Sequence, residues 1–420
     1  MNLGVSMQNR DGDHHEEHLS AHPLKGSNLT TVRGVNERLI LHLVRSHGKL
    51  TKADATRLTG LSPNAVSVIF RALEADGLLL RGTPIRGRIG QPSVPMMLNP
   101  DARHYVGLKI GRRTFDLVIV NFVGEVLARR TESHAYPTPS ATLRFLKEQL
   151  TSLLRSSGRS QSDISAMNIA MPFELWSWVA DFGAPQQEMD AWRSFDPVAA
   201  FKEIVPWPIT VENDGNAACR AELVFGPPET AQDFVYFFVG SFIGGGVVLN
   251  GSVFPGRSGN SGGFGPLRVP DEPGGDRLVD HASLVVLERM IADHSGEPLR
   301  DLNPEADDWA AVESHVQPWI SRAGRSLAHA IISTLAVIDF QAVVIDGAFP
   351  PSIRKRLVGE VERQLDRLDM QGVTRPDIKP GHFGGIARAL GAAAFQISTE
   401  YMIDQNTLLR QSPSTPGLHL

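Results

Sequence analysis

Residues 211–222 read VENDGNAACRAE, and the reading of this stretch decides the rest of the chain. The apolar approach 208–211 reads as a short strand. Three polar residues follow, Glu212, Asn213 and Asp214. Ala217, Ala218, Ala221 and Leu223 then fall at helical spacing. A carboxylate and a carboxamide between a strand end and a helix N-terminus suit a pocket that grips hydroxyls. Asp accepts a hydrogen bond or a proton, and Asn both donates and accepts. The same Asn-Asp pair also serves as a plain turn, so its meaning rests on its surroundings.

Working outward, 420 residues leave room for two or three domains, and a hydrophobic fraction of 42% places the chain in the globular class. Cys219 is the single cysteine, which excludes an intrachain disulfide and an all-cysteine zinc site. It suits a reducing compartment, and the expected location is cytoplasmic. No run of about 18 apolar residues occurs, so no membrane span is expected. The N-terminus is polar and acidic, unlike a signal peptide. Charge is unevenly spread. Residues 28–100 hold ten Lys/Arg against four Asp/Glu, a net of +6, whereas the whole chain is at −5. A basic segment on an acidic body points to a polyanion partner at one end.

Residues 1–27 are polar and aperiodic and read as a disordered tail. Over 28–99 the pattern is three short helices and a hairpin. Val35, Leu39, Ile40, Leu43 and Val44 mark the first helix. Thr51 and Asp54 open the second and Gly60 ends it. Ser62 caps the third, with Pro63 at its first position. Two short apolar runs, 78–81 and 94–98, form the hairpin. This is the winged helix-turn-helix pattern, with a tight link at Gly60–Pro63. In such folds the third helix enters the major groove. Candidate DNA contacts are therefore Ser62, Asn64, Ala65, Ser67 and Arg71 on that helix, with Arg86, Arg88 and Gln91 on the wing. Asn reads adenine and Arg reads guanine or holds phosphate. Arginines among wing glycines suit the minor groove.

After residue 104 the texture changes to apolar runs at 105–110, 115–121 and 126–129, a helix at 143–154 and a strand at 164–171. Residues 173–192 carry three tryptophans and read either as a loop over a pocket or as cover for a core edge. Past 225 the pattern partly repeats. Strands at 234–240 and 246–249 are separated by 241–246. Helices follow at 284–293, 320–338, 352–368 and 386–397, with a strand at 342–345. The expected core is two α/β lobes, 104–225 and 226–403, with a ligand cleft between them and a second disordered tail at 404–420.

On its motifs the chain resembles the ROK family of sugar kinases and sugar-responsive repressors. The motifs are VENDGNAA at 211–218 with Glu222, VGSFIGGGVVLNG at 239–251, VIDG at 344–347 and GIARALGAA at 385–393. The resemblance implies an α/β two-lobed actin-like (ribonuclease H-like) sugar kinase core behind the N-terminal winged helix. It also implies a carboxylate at Asp214 that serves family kinases as general base. Three departures bear on function. Where family kinases carry D-x-G-G-T, this chain has GLKIGRR at 107–113, which puts Lys109 at the metal-organising Asp and Arg112 and Arg113 at the small residues of a phosphate turn. A lysine there can bind phosphate but cannot hold magnesium. Where the family carries A-G-E-I-G-H and a cysteine cluster for zinc, Gly263 and Pro266 replace the Glu and the His, and residues 270–280 contain no cysteine. No structural zinc, and no other metal or cofactor, is expected. Phe173 fills the glycine place of the family's P-G turn. Asn213 and Asp214 remain as the expected ligand contacts.

The reading that results is a DNA-binding transcriptional regulator, a repressor of carbohydrate-related genes. Its catalytically inactive kinase-like core senses a sugar or sugar-phosphate effector. The expected partners are a palindromic duplex operator and a second copy of the chain, as homodimer or homotetramer. Two alternatives stay open at this point: a regulator whose core only oligomerises, and an active ATP-dependent sugar kinase.

Overall fold

The computed structural model describes residues 29–85, 93–177, 183–227, 231–270, 276–296, 302 and 307–403. Both expected tails, 1–27 and 404–420, and the wing residues Arg86, Arg88 and Gln91 lie outside the described residues.

The N-terminal unit comprises α1 (Leu29–His47), α2 (Lys52–Thr59), α3 (Pro63–Ala75) and an antiparallel ribbon of β1 (Leu79–Arg81) with β2 (Met96–Leu98). Its boundaries follow from local chemistry. Thr51 Oγ1 accepts the Asp54 N–H at 3.1 Å and donates to the Asp54 carboxylate at 2.6 Å, which starts α2. Gly60 ends it in the left-handed region, φ +69°, where a side chain is strained. Ser62 Oγ accepts from the Ala65 N–H at 3.2 Å and starts α3. Val66, Ile69, Phe70 and Leu73 then bury one stripe of α3 against Ile40, Leu41 and Val44 of α1.

The core contains the same sheet twice. In the first lobe β3 (His104–Ile110), β4 (Thr114–Asn121) and β5 (Val126–Ser133) form an antiparallel meander. After α4 (Pro139–Ser157), β6 (Ile164–Met171) and β7 (Ile209–Asn213) add in parallel, giving the order β5-β4-β3-β6-β7. α5 (Asp214–Phe225) then leads to the second lobe. There β8 (Phe234–Val239), β9 (Ile243–Leu249) and β10 (Ser252–Val253) form the meander. After α6 (Leu284–Ser295) and α7 (Glu313–Leu335) comes β11 (Ala342–Gly347), parallel to β8. α8 (Pro351–Leu365) leads to β12 (Asp377–Pro380), parallel to β11, and α9 (Ala387–Ala393) closes the core. Every residue of β3 and of β8 is buried, which explains the unbroken apolar run of β8 and the run of β3, where only His104 and Lys109 are polar.

The structure departs from the sequence reading in identifiable places. Residues 241–246 were expected to separate two strands, yet β9 starts at Ile243, and Gly244, Gly245 and Gly246 pair with Phe238, Phe237 and Tyr236. Gly245 and Gly246 answer to close packing, not to a turn. A Cβ on Gly246 would sit 2.5 Å from Cys219 Cβ of α5, and one on Gly245 would overlap the Tyr236 carbonyl oxygen. α7 begins at Glu313, not 320, and carries Pro318 inside it. β12 has only four residues, one of them Pro380, too short an edge strand to announce itself. The closing helix is split into a 3-10 turn at Gly384–Ile386, α9, and a π-type turn at Ile397–Tyr401.

Candidate functional site

The cleft floor is built where α5 and α9 cross. Gly391 of α9 lies so close to the Ala217 carbonyl of α5 that a Cβ would overlap it, and Gly107 of β3 meets the Ala389 carbonyl in the same way. These contacts fix three elements at backbone range. They bring Arg388 of α9 to Asp214 of α5, with Nη1 to Oδ2 at 3.2 Å. The guanidinium also lies 4.7 Å from the centroid of the Phe238 ring. Both charged groups line a cavity of about 280 Å³ between the lobes, together with Arg112, Phe242, Asn260 and Phe173.

Asn213 and Asp214 both border this cavity, but they differ in what they have left to offer. Asn213 Oδ1 caps α5, accepting from the N–H groups of Gly215 at 2.8 Å and Asn216 at 3.2 Å. Its Nδ2 donates to Asn260 Oδ1 at 3.3 Å. Asp214 is ion-paired with Arg388. The sequence reading missed Arg388. The available signal was an arginine within the alanine-rich run 387–393, where a charge needs a partner.

Lys109 does not reach into the cavity. Its Nζ donates to Asp116 Oδ2 at 2.8 Å across the β3–β4 hairpin and also to Thr114 Oγ1. Both charged side chains are nearly inaccessible, at 4% and 3%. Burial pulls the Lys109 ammonium down to about 8, against the opposing pull of Asp116. Burial also disfavours the Asp116 anion. Lys109, Arg129 at 3.0 Å and Thr131 at 2.7 Å outweigh it and hold the carboxyl well below the usual carboxylate range. A lysine by its charge could bind phosphate, but the Lys109 ammonium is committed to a buried ion pair. Arg112 and Arg113 reach across to the second lobe. Arg112 stacks on Phe242 at 4.4 Å, and Arg113 approaches the buried Glu288 of α6 at 3.7 Å.

Gly263 and Pro266 border the cavity, offering neither a carboxylate nor an imidazole. Among the described residues no group of three or more His, Cys, Asp or Glu could hold a metal ion. The one histidine near this loop is committed elsewhere. His281 is buried, its Nε2 lies 3.0 Å from Asp276 Oδ2, and its Nδ1 accepts from Arg322 Nε at 2.8 Å. Both ring nitrogens are thus occupied, which does not fit a zinc ligand. The short antiparallel pairing of Arg268–Val269 with Asp276–Arg277 lies beside this polar clamp.

Asp346 of the 344–347 motif is fully buried. It pairs with Arg354 at 2.9 Å and accepts from Tyr236 Oη at 2.9 Å and from the N–H groups of Gly347 and Gly384. Its lone pairs are consumed in joining β11, α8 and the turn before α9, a structural duty. On α3, Ser62, Asn64 and Arg71 are exposed and Ala65 and Ser67 half-buried. Val68, which the sequence reading did not name, is 46% exposed beside them.

Comparison with known structures defines the class. A ROK family transcriptional regulator, homologous to the E. coli MLC protein, superposes with a TM-score of 0.62 at 19% identity, covering 90% of this chain and 98% of that one. A ROK family glucokinase from Streptomyces griseus, solved with glucose and AMPPNP, gives 0.53 at 17% identity over 70% of this chain and 98% of its own. The core therefore has the two-lobed actin/hexokinase-like fold. The ROK family profile matches residues 105–398, and the chain belongs to the ROK family. Among its relatives, protein y4fQ of Sinorhizobium fredii is 25% identical over 369 residues, 85% of this chain and 89% of that protein. The DNA-binding transcriptional dual regulator NagC of Escherichia coli is 24% identical over 344 residues, 76% of this chain and 82% of NagC. Regulators and kinases share this fold, so the choice between them falls to the site.

Proposed function

We propose that this protein is a DNA-binding transcriptional regulator, acting as a repressor of carbohydrate-related genes, whose kinase-like core binds a sugar-like effector without phosphorylating it. The observation that carries the reading is the state of the phosphate end. Phosphoryl transfer needs a metal-organising group and a base free to take the hydroxyl proton. Here the first position holds Lys109 in a buried pair with Asp116, and Asp214 is paired with Arg388. What remains in the cleft is recognition chemistry: the Asn213 amide, Asn260 and the Asp214–Arg388 pair.

The DNA end is supported by the three-helix unit with its two-stranded ribbon, the +6 charge of residues 28–100, and the exposed polar face of α3. It is also supported by likeness to NagC and by a fold match covering 90% of the chain, more than the span 105–398 alone. Effector binding would alter the relative weight of two conformations and so the spacing of two N-terminal units on a palindromic site. Selection of genomic fragments by the purified protein tests the reading. Fragments should be enriched by the parent and not by Arg71→Ala. Equal enrichment by both would remove the assignment of α3 as the reading helix.

A further inference from the structure

A second cavity, of about 910 Å³, lies between α1 of the N-terminal unit and the core. Its volume and its place between two units are those of a small-molecule site. The walls are largely apolar, with Val35 from α1 and Val211, Leu223, Val253, Phe395 and Met402 from the core, and Asn216, Ser252 and Thr399 add neutral polar groups. Among the described residues three charged side chains border it. Two cancel, since Glu212 pairs with Arg220 at 2.9 Å, and Arg220 also donates to Ser398 Oγ at 2.6 Å. The third, Arg38 of α1, is exposed and has no hydrogen bond or ion pair among the described residues. Among the described residues Asn213 alone borders both this cavity and the cleft.

We infer that this cavity is a second ligand site. Its occupant is a small amphipathic anion whose apolar body fills the space between α1 and the core and whose acidic group meets Arg38. The apolar walls account for the body, and the single uncompensated charge accounts for the sign. An occupant would hold α1 against the core at a second point. The first lies seven residues later, where Arg45 Nη2 donates to the Phe122 carbonyl at 2.8 Å and the guanidinium covers the Phe122 and Phe225 rings. The two points together would fix the tilt of α1, and through it the N-terminal unit. The cavity stands without the DNA-binding reading.

The probe is 8-anilinonaphthalene-1-sulfonate, an aromatic sulfonate, titrated by fluorescence into the full chain. N-Phenyl-1-naphthylamine serves as its uncharged counterpart. One saturable site per chain is expected for the sulfonate, with weaker binding of the uncharged compound. Arg38→Ala should weaken the sulfonate about tenfold, the effect of losing one charge-assisted contact. Val253→Trp should abolish binding by filling the cavity. Arg57→Ala, an exposed arginine of α2, should leave it unchanged. Amide exchange across 34–47 should slow when the probe is bound. Absence of saturable binding overturns the site, as does binding indifferent to both Arg38→Ala and Val253→Trp, or equal affinity for the uncharged compound. DNA binding is not read out, so this site and the regulator reading can fail separately.

Discussion

At the scale of single residues, the deciding pair is Lys109 with Asp116. Removing one member of a buried ion pair leaves the other charge without compensation, at a cost of about 3–5 kcal/mol. Lys109→Ala should lower the unfolding free energy by about that much in urea titrations. Lys109→Met with Asp116→Leu should cost much less than the sum of the single changes. A loss of under about 1 kcal/mol in Lys109→Ala would show that the pair is not buried as described. The pair also predicts a pH dependence. The Asp116 carboxyl is depressed below its ordinary value of 3.8, so at and just below that pH the unfolded chain binds more protons than the folded one. Its contribution is therefore fully present above pH 3.8 and is lost as pH falls through the folded value. Stability of the parent should fall more steeply below pH 4 than that of Asp116→Asn. Parallel curves for the two proteins would contradict this.

At the scale of elements, two contacts carry most of the consequence. α9 lies on α5 at backbone range because Gly391 has no side chain. Gly391→Ala must push the helices apart and should cost about 3 kcal/mol, read by the thermal midpoint. An unchanged midpoint would mean that the crossing is looser than described. On α3, Arg71 is exposed, and among the described residues its Nε donates only to the Ser67 carbonyl of its own helix at 3.2 Å. Arg71→Ala should therefore leave stability within about 0.5 kcal/mol. If Arg71 holds phosphate, the same change should reduce the slope of log affinity against log salt by about one. Weaker binding with an unaltered slope would point to a base contact instead.

At the scale of the whole molecule, the duplicated lobes were largely legible because each strand and helix carries its own periodicity. Runs such as 234–239, and 105–110 with Lys109 as its one charge, announced buried strands, and the caps at Thr51 and Ser62 announced the N-terminal helices. Interactions distant in sequence were not legible. Arg388 meets Asp214 across 174 positions, and the sequence offers only an unexplained charge in an apolar helix. Lys109 was legible as a departure, but its partner Asp116 becomes visible only when the β3–β4 register is known. The glycines of β9 misled for a related reason. A turn and a close backbone approach call for the same residue. Arg112 and Arg113, standing where a phosphate turn was expected, instead span the cleft to Phe242 and Glu288, a role that needs both lobes in place. The central claim is that this core recognises and does not phosphorylate. The most direct test is ADP release from the purified full chain with ATP, magnesium and a panel of hexoses and N-acetylhexosamines, run beside Asp214→Asn. The prediction is no saturable turnover above that variant with any sugar. Saturable turnover that Asp214→Asn abolishes would contradict it.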